Sequence, residues 1–214
     1  SLLDEYVYML GQSCRTMDEM VTTICDTAAI PPSRVAVQNG VGTKDFSLRC
    51  HYAVAFGTQK MDVDKGLQRV ANIRDAFNSP FRPFVLTSTS VGQEGLDFHW
   101  YCGEVVHWNL PHNPIDLEQR EGRVNRFQSL VVRRRVAEQF ATEIKATEGW
   151  KEIFEKAAYI LSKHPNHTDL IPYWHMPIGS AKIRRIVPMM PLSRETRQYE
   201  KMLKILSLYR LTFG

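Results

Sequence analysis

Long apolar runs are missing from this chain of 214 residues: none approaches the ~20 consecutive apolar residues of a bilayer-spanning helix, which excludes a transmembrane segment. Cysteine is scarce. The four, at positions 14, 25, 50 and 102, form no Cys-x-x-Cys pair and leave no second pair to complete a zinc site. The opening Ser1-Leu2-Leu3-Asp4-Glu5 has neither the basic nor the apolar region of a secretory leader. Reduced thiols and a cytoplasmic location are therefore expected. An initiator Met is also lacking, so the chain is expected to be a piece of a longer one. There is no Gly-x-x-x-x-Gly-Lys-[Ser/Thr] loop for cradling phosphates. Gly40-Val41-Gly42-Thr43-Lys44 is only superficially similar, since no Gly-Lys precedes a hydroxyl residue and no convincing helix follows. No Asp-Glu-x-His or comparable metal-binding pair occurs either. His164, His167 and His175 lie close together, but with no cysteine near them they read as part of a polar turn rather than a metal site.

Hydrophobic residues make up 43% and charged residues 23%. This is ordinary globular usage, and it excludes a disordered tail, a collagen and a coiled coil. The length suits one large domain or two small ones. Net charge is +4, too mild to require a nucleic-acid partner, but it is unevenly spread. Residues 1–31 carry Asp4, Glu5, Asp18, Glu19 and Asp26 against Arg15 alone. Arg120 to Arg135 holds six arginines and one acid, and Lys182 to Arg210 holds eight basic residues and two acidic ones. The two basic stretches suggest a polyanion partner for the later part of the chain; on charge alone, solvated helix faces are the simpler account.

Residues 1–28 read as a helix in two pieces broken near Gly11–Ser13, with Leu2, Leu3, Tyr6, Met9 and Leu10 on one face. Arg34 to Asp45 reads as a strand and a turn with an Asn39-Gly40 hairpin signal, and Arg49 to Phe56 as a strand. A helix is expected over Val63–Phe77, ended by Asn78-Ser79-Pro80. A short buried strand is expected over Pro83–Ser88, another strand over Glu104–Asn109, and a helix over Pro114–Phe127. This order implies an α/β fold with a parallel sheet and right-handed crossovers. The C-terminal third reads as mostly helical, with Ser193 capping a last helix to about Tyr209. Trp108 is expected in the core, and Tyr173-Trp174 under the tail helix.

Two segments carry chemistry. In Thr87-Ser88-Thr89-Ser90-Val91-Gly92-Gln93-Glu94-Gly95-Leu96-Asp97 a strand runs into three hydroxyl residues, two glycines and an acid. In a parallel α/β sheet, ligands bind beyond the carboxyl ends of strands. Hydroxyls and bare amides there suit phosphate oxygens; an ordinary loop whose hydroxyls satisfy backbone groups is the alternative. In Gln119-Arg120-Glu121-Gly122-Arg123-Val124-Asn125-Arg126 the arginines fall three apart, which places them close on a helix surface. Gly122 inside a helix costs roughly 1 kcal/mol relative to Ala, and close approach of a ligand or a facing domain is one reason to keep it. The arginines suit a transferring phosphate; structurally, Glu118 and Glu121 are acids able to offset them.

Together, Gly92-Gln93-Glu94-Gly95, Asn109-Leu110-Pro111-His112-Asn113-Pro114 and Glu118 through Arg126 resemble, in that order, motifs V and VI of superfamily-two helicases, closest to the Swi/Snf-like branch. The resemblance covers roughly residues 49–145 and, more weakly, the tail. It implies the C-terminal RecA-like lobe of an ATP-driven nucleic-acid motor: a parallel sheet flanked by helices, with extra helices at both ends. The domains implied are an N-terminal extension over 1–48, a RecA-like core over 49–145 and a mostly helical extension over 146–214. By position Arg126 would be the arginine finger and Arg123 would assist it. Gln119, Gly95 and Asp97 would face the nucleotide cleft, and Thr87, Ser88 and Thr89 would meet nucleic-acid phosphates. ATP is the implied nucleotide, its Mg held by a missing first lobe; that N-terminal RecA-like lobe of the same polypeptide and nucleic acid, DNA by branch, are the implied partners. The fragment alone would not hydrolyse ATP. A non-catalytic nucleic-acid-binding or scaffolding module of the same fold is the main alternative, and a phosphate-binding α/β enzyme of unrelated chemistry is a third. The basic stretches lead us to expect weak DNA binding with steep salt dependence; binding indifferent to salt in an anisotropy titration rules them out as the contact surface.

Overall fold

A computed structural model describes residues 1–29, the backbone of 33–37 and 46–50, and residues 71–87, 97–145, 148–163, 172, 174 and 179–212. The chain divides into two compact units, Ser1–Tyr101 and Cys102–Gly214. The glycine loop from Ser88 to Leu96, including Thr89 and Gly95, lies outside the described residues, as do the histidines at 164, 167 and 175.

The first unit opens with two helices, α1 (Leu2–Ser13) and α2 (Met17–Ala28). The break falls just past the expected place, because each helix has its own cap. Ser1 and Asp4 form a reciprocal capping box on α1, and the Thr16 hydroxyl accepts from Glu19 N on α2. Tyr6 is the buried residue of the expected α1 face, where its ring meets Phe81 and Tyr101 edge-on; Leu2 and Leu3 are exposed. Strands β1 (Ser33–Val37) and β2 (Phe46–Cys50) pair antiparallel, with Ser33 opposite Cys50 and Val37 opposite Phe46. The strand after the turn begins at Phe46, three residues before the expected Arg49, while Asn39-Gly40 and residues 51–56 lie outside the described residues. Residues 71–77 are helical as expected, with Ile73 and Ala76 buried.

One expectation fails in this unit. Residues 83–87 form no strand, and Phe84 and Val85 are 74% and 79% exposed. An apolar run becomes a strand only when a neighbour takes up its backbone groups, and none among the described residues does so.

The second unit contains β3 (Glu104–Val106), α3 (Pro114–Gly122), α4 (Leu130–Gln139), α5 (Trp150–Ser162), β4 (Arg184–Ile186) and α6 (Glu195–Leu211). Strands β3 and β4 pair in parallel, Glu104 opposite Arg184, so the α/β class and the parallel pairing both hold. The second strand comes from the C-terminal third, where the sequence suggested mostly helix. Beyond β3, His107 N donates to Ile186 O at 2.8 Å, and His107 turns inward, only 1% exposed. Side chains alternate along a strand, so Trp108 points out at 77% exposure rather than entering the core as expected.

Asn113 caps α3 by accepting from Ile115 N, and Pro114 occupies the first turn, where its missing N–H costs nothing. The helix ends at Gly122, short of the expected Phe127. Leu117, fully buried, packs with Met202 and Leu206 of α6, joined by Leu110 and Tyr199. A second cluster joins α4 to α5 through Val132, Val136, Phe140, Ile153, Phe154 and Ala157; Trp174 packs here, not under the tail helix. The tail helix begins at Glu195 with Arg194 as its N-cap, so the expected Ser193 cap is not formed; Ser193 stands one residue before the cap, its hydroxyl accepting from Glu195 N at 3.3 Å. Because Leu117 is the centre of the α3–α6 contact, Leu117→Ala is expected to lower unfolding stability by about 2–5 kcal/mol in a denaturant titration. A loss well under 1 kcal/mol would mean that α6 does not pack there.

Candidate functional site

In the first unit, Asn78 follows the 71–77 helix and clamps the segment after the glycine loop. Its Nδ2 donates to Asp97 O at 2.7 Å, and its Oδ1 accepts from Trp100 N at 3.4 Å. Phe98 is buried against Phe77 edge-on, with ring centroids 5.6 Å apart, and the His99 ring stacks on Trp100 at 5.2 Å. Asp97 is therefore held by its own backbone at half-buried exposure, and Thr87 is exposed. Ser88, Thr89 and Gly95 lie outside the described residues.

In the second unit, the arginines do not share one helix surface as the spacing suggested, because α3 stops at Gly122. Gln119 is exposed on α3. Arg120 is drawn back to the backbone, its Nη1 donating to Asn109 O at 2.9 Å. Arg123 is the half-buried C-cap, and Arg126 sits exposed on the turn beyond it. This turn is hydrogen-bonded throughout: Val124 N and Asn125 N donate to Glu121 O, Arg126 N to Val124 O, and Ser129 N to Arg126 O. Gln128 takes a left-handed φ of 60°, which is uncommon for a residue with a side chain. Its carbonyl is gripped by Arg133, whose Nη1 donates at 2.6 Å. Arg133 is 1% exposed, with its guanidinium 5.7 Å from the centroid of the Trp150 ring. Ser129, fully buried, caps α4, and the Phe127 ring meets Phe154 at 5.0 Å and Trp174 at 6.3 Å. Anchors on both sides thus present Arg126 to solvent from a fixed turn.

The acids of α3 face other partners than the neighbouring arginines. Glu121 takes a bidentate grip from Arg185 of β4, Nη2 to Oε2 at 2.7 Å and Nε to Oε1, and a contact from His107 Nε2 at 3.1 Å. Tyr199 of α6 closes the network at 3.5 Å from Arg185 Nη1. Burial alone would push the Glu121 carboxyl up, but the hydrogen bonds from Arg185 and His107 and their charges outweigh it and hold it at about 2. Arg185 is correspondingly shifted up by its hydrogen bond to Glu121. An ionised carboxylate only accepts, so His107 carries a proton on Nε2. Glu118 pairs with Arg210 of α6.

A cleft of about 370 Å³ lies beside α3, lined by Glu118, Glu121, Gly122, Asn125, Arg135 and Arg210 among others. A Cβ on Gly122 would meet nothing within 4 Å among the described residues, so none of these requires glycine there. The cleft wall is mixed in charge, with the two carboxylates facing Arg135 and Arg210. Among the described residues no group of three or more His, Cys, Asp or Glu is placed to hold a metal ion, and no helix is long and apolar enough to cross a membrane.

Thr87 and Asp97 thus belong to the first unit, and Gln119, Arg123 and Arg126 to the second, where one helix and one turn bring the last three together. Sequence reasoning passed over His107, Arg185 and Arg133. Residues 64 apart, such as Glu121 and Arg185, leave no local trace. Arg133 did leave one: it falls three and seven residues before Val136 and Phe140, on their buried face.

Residues 38–128 match the family model for the helicase conserved C-terminal domain. A stretch of 55 residues is 36% identical to the uncharacterized ATP-dependent helicase YqhH of Bacillus subtilis (strain 168), covering 26% of this chain and 9% of that protein. The match therefore covers less than a tenth of the length of that relative. No solved structure matches it. Residues 38–128 are thus similar to a helicase C-terminal domain.

Folding depresses the Glu121 carboxyl from an ordinary 4.5 to about 2, so its stabilisation is complete above 4.5 and lost as pH falls through 2. Glu121→Gln is expected to cost about 2 kcal/mol at neutral pH, between an exposed and a fully buried pair. In denaturant titrations that difference should shrink below pH 4.5; a difference that does not vary with pH would overturn the assignment.

Proposed function

We propose that the chain is the second motor lobe of an ATP-dependent DNA helicase or translocase of the Swi/Snf-like branch. The observation that carries this is the rigid turn at Arg123–Arg126, inside the helicase-matched residues, which presents Arg126 to solvent. Arg126 acts as the arginine finger on the γ-phosphate of ATP, and Arg123 assists it. A guanidinium suits this role because its planar fork stays charged and matches phosphate oxygens. Gln119, Gly95 and Asp97 face the same nucleotide, and Thr87, Ser88 and Thr89 meet nucleic-acid phosphates. An N-terminal lobe of the same polypeptide supplies the phosphate loop and the Mg-binding acids, so the fragment by itself does not turn over ATP. The division into an extension over 1–48, a core over 49–145 and an extension over 146–214, and a cytoplasmic setting, belong to the same proposal.

Backbone hydrogen bonds and the grip of Arg133 on Gln128 O hold the turn that carries Arg126, which lowers the ordering cost of binding. Arg126→Ala in the full-length protein is expected to cut nucleic-acid-stimulated ATPase by about 10³-fold or more while nucleic-acid affinity stays near wild type. Turnover unchanged in that variant would remove the finger role.

A further inference from the structure

We infer that the outer face of α6, beyond the helicase-matched residues, is a second docking surface for the phosphate backbone of nucleic acid. The two basic stretches look alike in sequence, and the fold sorts them. In the first, Arg120 donates to Asn109 O, Arg133 to Gln128 O and Arg135 to Ala181 O. In the second, Arg184, Arg185 and Arg210 are paired with Glu104, Glu121 and Glu118. Six exposed cations of the two stretches have no ion pair among the described residues, Arg134, Lys182, Arg194, Arg197, Lys201 and Lys204, and the last four of these lie along α6.

These four form a line. At 3.6 residues per turn, positions 194, 197, 201 and 204 fall on one side of α6, opposite the buried Met202 and Leu206, over about 15 Å of axis. Of the nearby acids, Glu195 is engaged by Met190 N and Ser193 Oγ, and Glu200 lies on the flank of the stripe. A row of like charges on one face needs a counter-charge of similar pitch. One nucleic-acid strand presents a phosphate every ~3.4 Å of axis, so the row faces about four of them. No aromatic side chain interrupts it, so it reads backbone rather than bases. The inference rests on the helicase-lobe reading for the class of its ligand, and it uses none of the residues assigned to the nucleotide.

The test is fluorescence anisotropy of labelled single-stranded and duplex DNA with the full chain across a KCl series. Relative to wild type, Arg197→Gln, Lys201→Gln and Lys204→Gln combined should lower the slope of log Kd against log[salt] by about two to three, with thermal melting unchanged. If the triple variant melts early, the single variants Arg197→Gln and Lys201→Gln should each lower the slope by about one. An unchanged slope, absence of wild-type DNA binding at low salt, or equal competition by polyglutamate would overturn the inference. The Arg126→Ala ATPase measurement is separate: normal turnover there together with a reduced slope here removes the motor role and leaves this surface standing, and the converse removes only the surface.

Discussion

One carboxylate holds the second unit together. Glu121 lies near the end of α3, where it meets His107 just after β3, Arg185 in β4 and, through Arg185, Tyr199 in α6. Taking a carboxylate out of water is costly, and a single partner seldom repays it. Here a planar guanidinium grips both oxygens while an imidazole N–H meets one of them, and the balance reverses: the group stays ionised far below its ordinary range. The neighbouring apolar contact of Leu117 with Met202 and Leu206 ties the same two helices together. Residues well beyond the helicase-matched stretch are therefore structural parts of the unit that carries the arginine turn.

Arginine meets three fates in this unit, each set by the acceptors available. Arg133 is buried because a carbonyl and the Trp150 ring face receive it. Arg185 and Arg210 are matched to the acids of α3. Arg126, Arg194 and Arg197 remain at the surface. A guanidinium cannot shed its proton, so its charge is either met inside the fold or carried at the surface. The chain uses the first kind to build the turn and α6, and the second kind is displayed on them.

Much of the architecture was legible from local chemistry. Both N-terminal helices follow from their capping residues, and α3 starts where Asn113-Pro114 says it should. Errors arose where a neighbour distant in sequence decides the outcome. Pro83–Ser88 looked like a buried strand, but Phe84 and Val85 are exposed. Val106 and Trp108 face outward because His107 is drawn in by Glu121. The arginine spacing implied one helical face, whereas the helix stops at Gly122 and a turn carries Arg123 and Arg126 onward.

Residue order alone settles the helicase likeness and the α/β class, because these depend on residue types at short spacings. It also settles most helix starts, since caps act within four residues. Which arginines are satisfied and which are displayed depends on the fold. So does the recruitment of β4 to pair with β3, some 80 residues earlier. A charge is tamed or left exposed by what lies a few ångströms away in space, and that proximity exists only once the chain has folded.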